Sequence, residues 1–124
     1  MAGELILIVE DNEKNRRLVR DVLQTTGYRT IEAETGEDGV RLAKEHRPAL
    51  VLMDIQLPGI DGVKALGQLR ADVGTRAIPV IAVTASAMTH DRQKIMAAGF
   101  DGYQSKPIRV KEFLAAVRAM LDRK

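Results

Sequence analysis

The sequence predicts a doubly wound α/β fold, one five-stranded parallel sheet between two layers of helices. Three observations predict it. Strand-like and helix-like segments alternate strictly along the chain, the pattern of repeated βα units. Three strand segments, residues 5–9, 49–53 and 79–83, are apolar throughout, so both faces of the sheet must be covered. No Gly/Ser linker, repeat or low-complexity tract divides the 124 residues, which suit a single domain spanning 1–124.

The elements follow in order. Residues 5–9, "LILIV", are the first strand. Residues 14–25 form a helix with Leu18, Val22 and Leu23 on one face, and Gly27 stops it. Residues 29–33 alternate and are rich in β-formers, which suits an edge strand. Residues 37–45 are the second helix, and Pro48 marks its end. Residues 49–53, "ALVLM", are the third strand. Behind it, Pro58-Gly59 and Asp61-Gly62 are turn chemistry that lets the chain leave sharply into a helix over 61–71. Residues 79–83 are the fourth strand, 89–98 the fourth helix, closed by Gly99, and 101–104 a short fifth strand. The last helix, 109–122, sets Val110, Phe113, Leu114, Val117, Met120 and Leu121 in an apolar stripe. Met88, Met96 and Met120 read as core filler, and His46 and His90 as surface or rim residues.

Composition narrows the function. Hydrophobic content of 45% with 29% charged residues is that of a soluble globular chain. No apolar run approaches the ~20 residues needed to span a bilayer, and no basic n-region opens the chain. Without cysteine there is neither a disulfide framework nor a thiolate metal site, which fits a cytoplasmic protein. The net charge of +2 comes from bases interspersed with acids, and only two Phe and two Tyr are present. Nucleic-acid binding would want a clustered basic face and stacking aromatics. Neither a nucleic acid nor a membrane is therefore expected as a partner.

Right-handed crossovers put every strand's C-terminal end on one edge of the sheet, where such folds bind ligands. Glu10, Asp11 and Asn12 follow the first strand, Asp54 the third, Thr84, Ala85 and Ser86 the fourth, and Ser105, Lys106 and Pro107 the fifth. The third strand thus ends on a bare carboxylate because Asp54 has reached the rim. Carboxylates gathered in a small space repel, and a divalent cation relieves the repulsion. Magnesium prefers oxygen ligands and commonly takes one or two carboxylates plus a phosphate oxygen, a role open to Asp11 and Asp54. Lys106 supplies a point charge and Thr84 a hydroxyl for phosphoryl oxygens. Such a site suits phosphoryl transfer with a carboxylate as nucleophile.

In these motifs the chain resembles the receiver domains of two-component response regulators. "LILIVEDN", "LVLMDIQLPGIDG", "VIAVTASA" and "YQSKP" each match the family pattern in place, over essentially the whole chain. "VEDN" and "MDIQLP" look closest to single-domain regulators of the DivK type and to receivers of hybrid histidine kinases. The resemblance implies a flavodoxin-like (βα)5 receiver fold with strand order 2-1-3-4-5. It implies that Asp54 is the phosphoacceptor, served by a phosphohistidine of a histidine kinase or histidine phosphotransferase. It implies Mg2+ as cofactor, held by Asp11 directly, by Glu10 through water, by Asp54 and by the backbone carbonyl of Gln56. Thr84 and Lys106 would bind phosphoryl oxygens, Tyr103 would be the switch aromatic, and the Lys106-Pro107 peptide would be cis. Donors would approach near the first helix and the loop after Lys106, and partners would read the surface from the fourth helix to the fifth. Gln56 and Ser86 flank the site and are expected to tune dephosphorylation.

Blander readings attach to each residue alone. Asp11-Asn12 suits a helix cap, Asp54 a turn opener, Thr84 an ordinary strand end, Lys106 a solvated lysine and Tyr103 a core or rim residue. The case for a site is that all of them meet at strand ends. Three other functions compete. A flavodoxin-like cofactor binder would want a Ser/Thr/Gly-rich loop where "EDNEKN" stands. A phosphohydrolase of the haloacid dehalogenase type would want a second Asp where Gln56 stands. A non-phosphorylated interaction domain would not need the intact acidic set. The expectation is a signalling switch that assists its own phosphorylation and dephosphorylation, not a dedicated enzyme. No output segment follows Asp122, so the output is expected to be binding of a downstream protein.

Overall fold

The computed structural model describes residues 3–85 and 89–122, with the side chains of residues 89–91 also left aside. The elements run β1 (Leu5–Val9), α1 (Glu13–Thr25), β2 (Arg29–Ala33), α2 (Gly36–His46), β3 (Leu50–Asp54), α3 (Gly62–Ala71), β4 (Val80–Thr84), α4 (Thr89–Ala97), β5 (Gly102–Ser105) and α5 (Val110–Asp122). The sheet is all-parallel with order β2-β1-β3-β4-β5, so β2 is an edge strand as its alternating pattern predicts.

The apolar strands divide their side chains between two cores. Leu7, Val9, Val51, Met53, Val80 and Ala82 face one side, where Val40 and Ala43 of α2, Leu66 and Leu69 of α3 and Ile95 of α4 cover them. Ile6, Ile8, Leu50, Leu52, Ile81 and Val83 face the other, under Val19 and Leu23 of α1 and Phe113, Val117 and Leu121 of α5. Successive strand residues point to opposite faces, so a strand covered on both sides must be apolar at consecutive positions.

Local chemistry sets the element ends. Asn12, Thr35 and Asp61 are N-caps, and each side chain accepts a backbone N–H three residues on. Gly27 at φ +101° takes the chain out of α1. Arg47 adopts a left-handed conformation after α2, and buried Pro48 follows. At the far edge of the sheet, Arg70 of α3 bonds the Ile78 carbonyl and Asp101, each at 2.7 Å, which ties the starts of β4 and β5 to α3. Among the described residues no helix is long and apolar enough to cross a membrane.

The structure corrects several expectations. β3 and β4 each start and end one residue later than the hydrophobic runs suggest, as does β5. Asp54 and Thr84 are therefore inside the ladder, in register with Val83 and Ser105. Backbone pairing continues to the rim after the apolar side chains have stopped. Leu18, Met96 and Val110 are 46%, 40% and 47% exposed, so they are not core residues. Val110 is the first residue of α5, whereas Leu18 sits in the middle of α1 beside the face that Val19 and Leu23 bury. Met120 does pack against the second core, and His46 is exposed, as expected. Met88 and Ser86 lie outside the described residues, as does the side chain of His90.

Gly62 is where the turn behind Asp54 leaves no room. Its N–H bonds the Ile55 carbonyl at 2.9 Å. A Cβ there would overlap the Asp54 carbonyl oxygen and stand 2.9 Å from Ile55 Cα, both backbone atoms. Gly62→Ala is expected to cost about 2 kcal/mol in urea unfolding, because the backbone carrying Asp54 has to shift. An unchanged unfolding midpoint would show that the turn yields freely.

Candidate functional site

The C-terminal edge of the sheet brings the predicted site residues together. Glu10 leaves β1 with its N–H on the Ala33 carbonyl at 3.0 Å, and the residue is only 4% exposed. Its Oε2 accepts the Asn12 N–H at 3.1 Å. Asp11 beside it is exposed. Asp54, 5% exposed at the end of β3, accepts the Gln56 N–H on Oδ1 at 3.1 Å. The turn reading of Asp54 and its place in the site are thus both realised, as is the cap reading of Asn12.

Lys106 closes the cluster from β5. Its N–H bonds the Thr84 carbonyl at 2.8 Å, and the Lys106-Pro107 peptide is cis. Its ammonium donates to Asp54 Oδ2 at 2.9 Å and lies 2.5 Å from Glu10 Oε1. Lys106 is therefore a half-buried bridge between two acids, not a solvated loop lysine. Thr84 is buried at the end of β4. Tyr103, on β5, is half-buried, and the Arg92 guanidinium of α4 stands 5.4 Å from its ring centre. Gln56 is exposed on the rim.

One carboxylate oxygen each from Glu10, Asp11 and Asp54 lies within 4.8 Å of the others. Three hard oxygen donors on separate backbone positions, one of them solvent-facing, fit a magnesium-like cation that keeps some of its waters.

The electrostatics bear the mark of crowding. Burial pushes the Glu10 carboxyl up to about 7, with Asp54 adding to the rise and the Lys106 ammonium opposing it. Burial also works against the Lys106 charge, but its bonds to Glu10 and Asp54 win, and its pKa is raised. The sign for Glu10 is unusual for a carboxylate. Its folded pKa lies above the usual 4.5, so the folded chain holds a proton that the unfolded chain has lost. Through this group, stability of the metal-free chain falls as pH rises from 4.5 to about 7. A cation in the cluster has to displace that proton, so magnesium affinity is expected to rise about tenfold between pH 6 and pH 8 and then level off. Calorimetric magnesium titrations at several pH values check this, and a flat profile would exclude Glu10 from the cation's environment.

Sequence reasoning missed Arg16. In α1 it reads as one base in a charged helix, yet its side chain is only 14% exposed and donates to the Glu10 carbonyl at 2.9 Å. The signal was faint: Glu32 and Glu34, two residues apart around the end of the edge strand, offer the acids that draw it in.

Known proteins share this arrangement of fold and motifs. The response regulator receiver domain family matches residues 6–118. The polar-differentiation response regulator DivK of Brucella anthropi is 47% identical over 116 residues, 94% of each chain. DivK of Brucella ovis is 46% identical over the same length and shares. Among solved structures, the receiver domain of a sensor histidine kinase from Pseudomonas aeruginosa superposes with a TM-score of 0.91 at 35% identity, covering 98% of this chain and 100% of that one. That structure has a magnesium ion coordinated in its active-site cleft. A putative response regulator from Chloroflexus aurantiacus superposes with a TM-score of 0.93 at 27% identity, covering 98% and 99%.

Proposed function

Because this chain belongs to the response regulator receiver family, whose work is phosphorylation-based signalling, we propose that Asp54 is its phosphoacceptor in a two-component phosphorelay. The observation that carries the proposal is the Lys106 ammonium bridging Asp54 and Glu10 beside exposed Asp11. This supports the reading of Asp54 as a nucleophile with a counter-charge and two further acids beside it. The donor is the phosphohistidine of a histidine kinase or histidine phosphotransferase. Its own histidine nitrogen leaves as an Asp54 oxygen bonds the phosphorus.

The chain's residues divide the work. Asp54 is pinned through Oδ1 by the Gln56 N–H, which leaves the Oδ2 side to face Lys106. Lys106 moves from the carboxylate to a phosphoryl oxygen, keeping one anion or another within reach throughout. Thr84, at the end of the neighbouring strand, donates its hydroxyl to a second oxygen. Glu10, Asp11, Asp54 and the Gln56 carbonyl would hold Mg2+, which, when bound, offsets the charge of the phosphoryl oxygens. The chain assists its own phosphorylation and dephosphorylation without being a dedicated enzyme.

The output is a shift between two arrangements of the β4–α4 region and Tyr103. Arg92 over the Tyr103 ring favours the arrangement seen here by about 0.5–1 kcal/mol, a small bias that a moved Thr84 can overcome. The downstream protein reads the face from α4 to α5, and the donor approaches by α1 and the loop after Lys106. Nothing in this scheme calls for a membrane or a nucleic acid.

The test is intact mass after incubation with acetyl phosphate, with and without magnesium. A single phosphoryl adduct that requires magnesium and maps to Asp54 is the expected result. With magnesium bound but no adduct from any phosphodonor, the interaction-domain reading would take its place.

A further inference from the structure

We propose that Arg16 is a positioning residue for the acidic pair, clamping the peptide between Glu10 and Asp11 to the edge strand β2 so that their carboxylates keep one geometry toward a cation. The inference rests on the reading of Glu10, Asp11 and Asp54 as a magnesium site.

The clamp is built from three fixed points. Arg16 sits one turn into α1, with its own N–H on the Asn12 carbonyl at 2.9 Å. Its Nη1 donates to the Glu10 carbonyl at 2.9 Å, the oxygen of the peptide that joins Glu10 to Asp11. Its Nε donates to Glu32 Oε1 at 3.1 Å, and Glu34 Oε1 lies 3.8 Å from Nη1. Because the Glu10 N–H bonds Ala33 directly, both backbone groups of Glu10 are tied to the β2 side, the carbonyl, among the described residues, through Arg16. Beyond Glu10 the chain has left the sheet, so no ladder bond holds that carbonyl. A guanidinium is a planar fork able to hold a carbonyl and a carboxylate at once, whereas an ammonium is a single mobile point. The side chain is 14% exposed, so water does not readily take its place.

Charge and position predict opposite results. A cation near three carboxylates opposes the binding of another cation. If Arg16 acted by its charge alone, removing it would tighten magnesium binding. If it acts by holding the Glu10-Asp11 peptide, removing it weakens binding. Arg20 provides the control, because it also reaches Glu32, at 3.7 Å, and no contact of it with the Glu10 carbonyl is seen.

The experiment is a calorimetric titration of the folded full chain with magnesium chloride, below the unfolding midpoint of each variant. Arg16→Met is expected to weaken magnesium binding about tenfold, the size typical of losing a group that orients metal ligands. Arg16→Lys is expected to fall short of rescue, and Arg20→Met to bind as the wild type does. Unchanged or tighter binding by Arg16→Met, full rescue by Arg16→Lys, or an equal loss in Arg20→Met would each overturn the clamp. Should Arg16→Met fail to fold, Arg16→Lys against Arg20→Met decides. A wild-type chain that binds no magnesium would overturn the reading of the site itself, and this inference with it.

Discussion

An Asp54→Asn chain given magnesium and acetyl phosphate is expected to take up no phosphoryl group at all, while folding as the wild type does. The substitution is nearly isosteric, so the amide oxygen keeps the Gln56 N–H, the bond that fixes the side chain at 3.1 Å. What is lost is the anionic oxygen facing Lys106, and with it the nucleophile. The loss is chemical and complete. The variant should also relieve crowding, because Asp54 is one of the groups that raise Glu10, so the Glu10 pKa should move back down toward 4.5. Intact mass reads the first effect, and a carboxyl-selective NMR titration reads the second. A phosphoryl adduct on the variant would place the acceptor elsewhere in the chain.

The second large effect is expected from Lys106→Met, and it separates stability from metal binding. Two carboxylates that are 4% and 5% exposed at the residue level share this one ammonium. Removing it leaves them facing each other with no counter-charge, a loss of about 3 kcal/mol for a broken buried pair. The cost depends on pH. With the ammonium gone, Glu10 rises further above its present value of about 7 and takes a proton as pH falls, which removes the repulsion. The destabilisation is therefore largest above pH 7 and shrinks toward pH 5. Magnesium affinity should move the other way and tighten, because the ammonium no longer competes for the same oxygens. Urea unfolding at two pH values, with and without magnesium, checks both. Equal destabilisation at pH 5 and pH 8 would show that Lys106 supports packing and not charge.

Much of this was legible in the chain. Apolar runs at consecutive strand positions required a sheet covered on both faces, and the division of those side chains between two cores is what such runs produce. The rule that strand ends meet at one edge then gathered Glu10, Asp11, Asp54, Thr84 and Lys106 without any knowledge of distance. Placement within a helix was less legible. Val110, in the first turn of α5, has the right period and still lies exposed, because period fixes a direction around the helix axis but not how far the sheet extends beneath it. Leu18 is exposed because the buried face of α1 centres on Val19 and Leu23.

The sequence by itself determined the fold class, the edge position of β2 and the membership of the acidic and basic groups in one site, since these follow from hydrophobic period and chain direction. The tertiary structure alone decided how those groups are paired. Lys106 lies on Glu10 as well as Asp54, 96 and 52 residues away in sequence, and that bridge together with burial sets the charge of the site. Arg16 reaches the Glu10 carbonyl because α1 packs beside β2, and Arg92 meets Tyr103 because α4 lies over β5. Burial and pairing of charges depend on which elements pack against each other, and no local pattern of residues carries that distance.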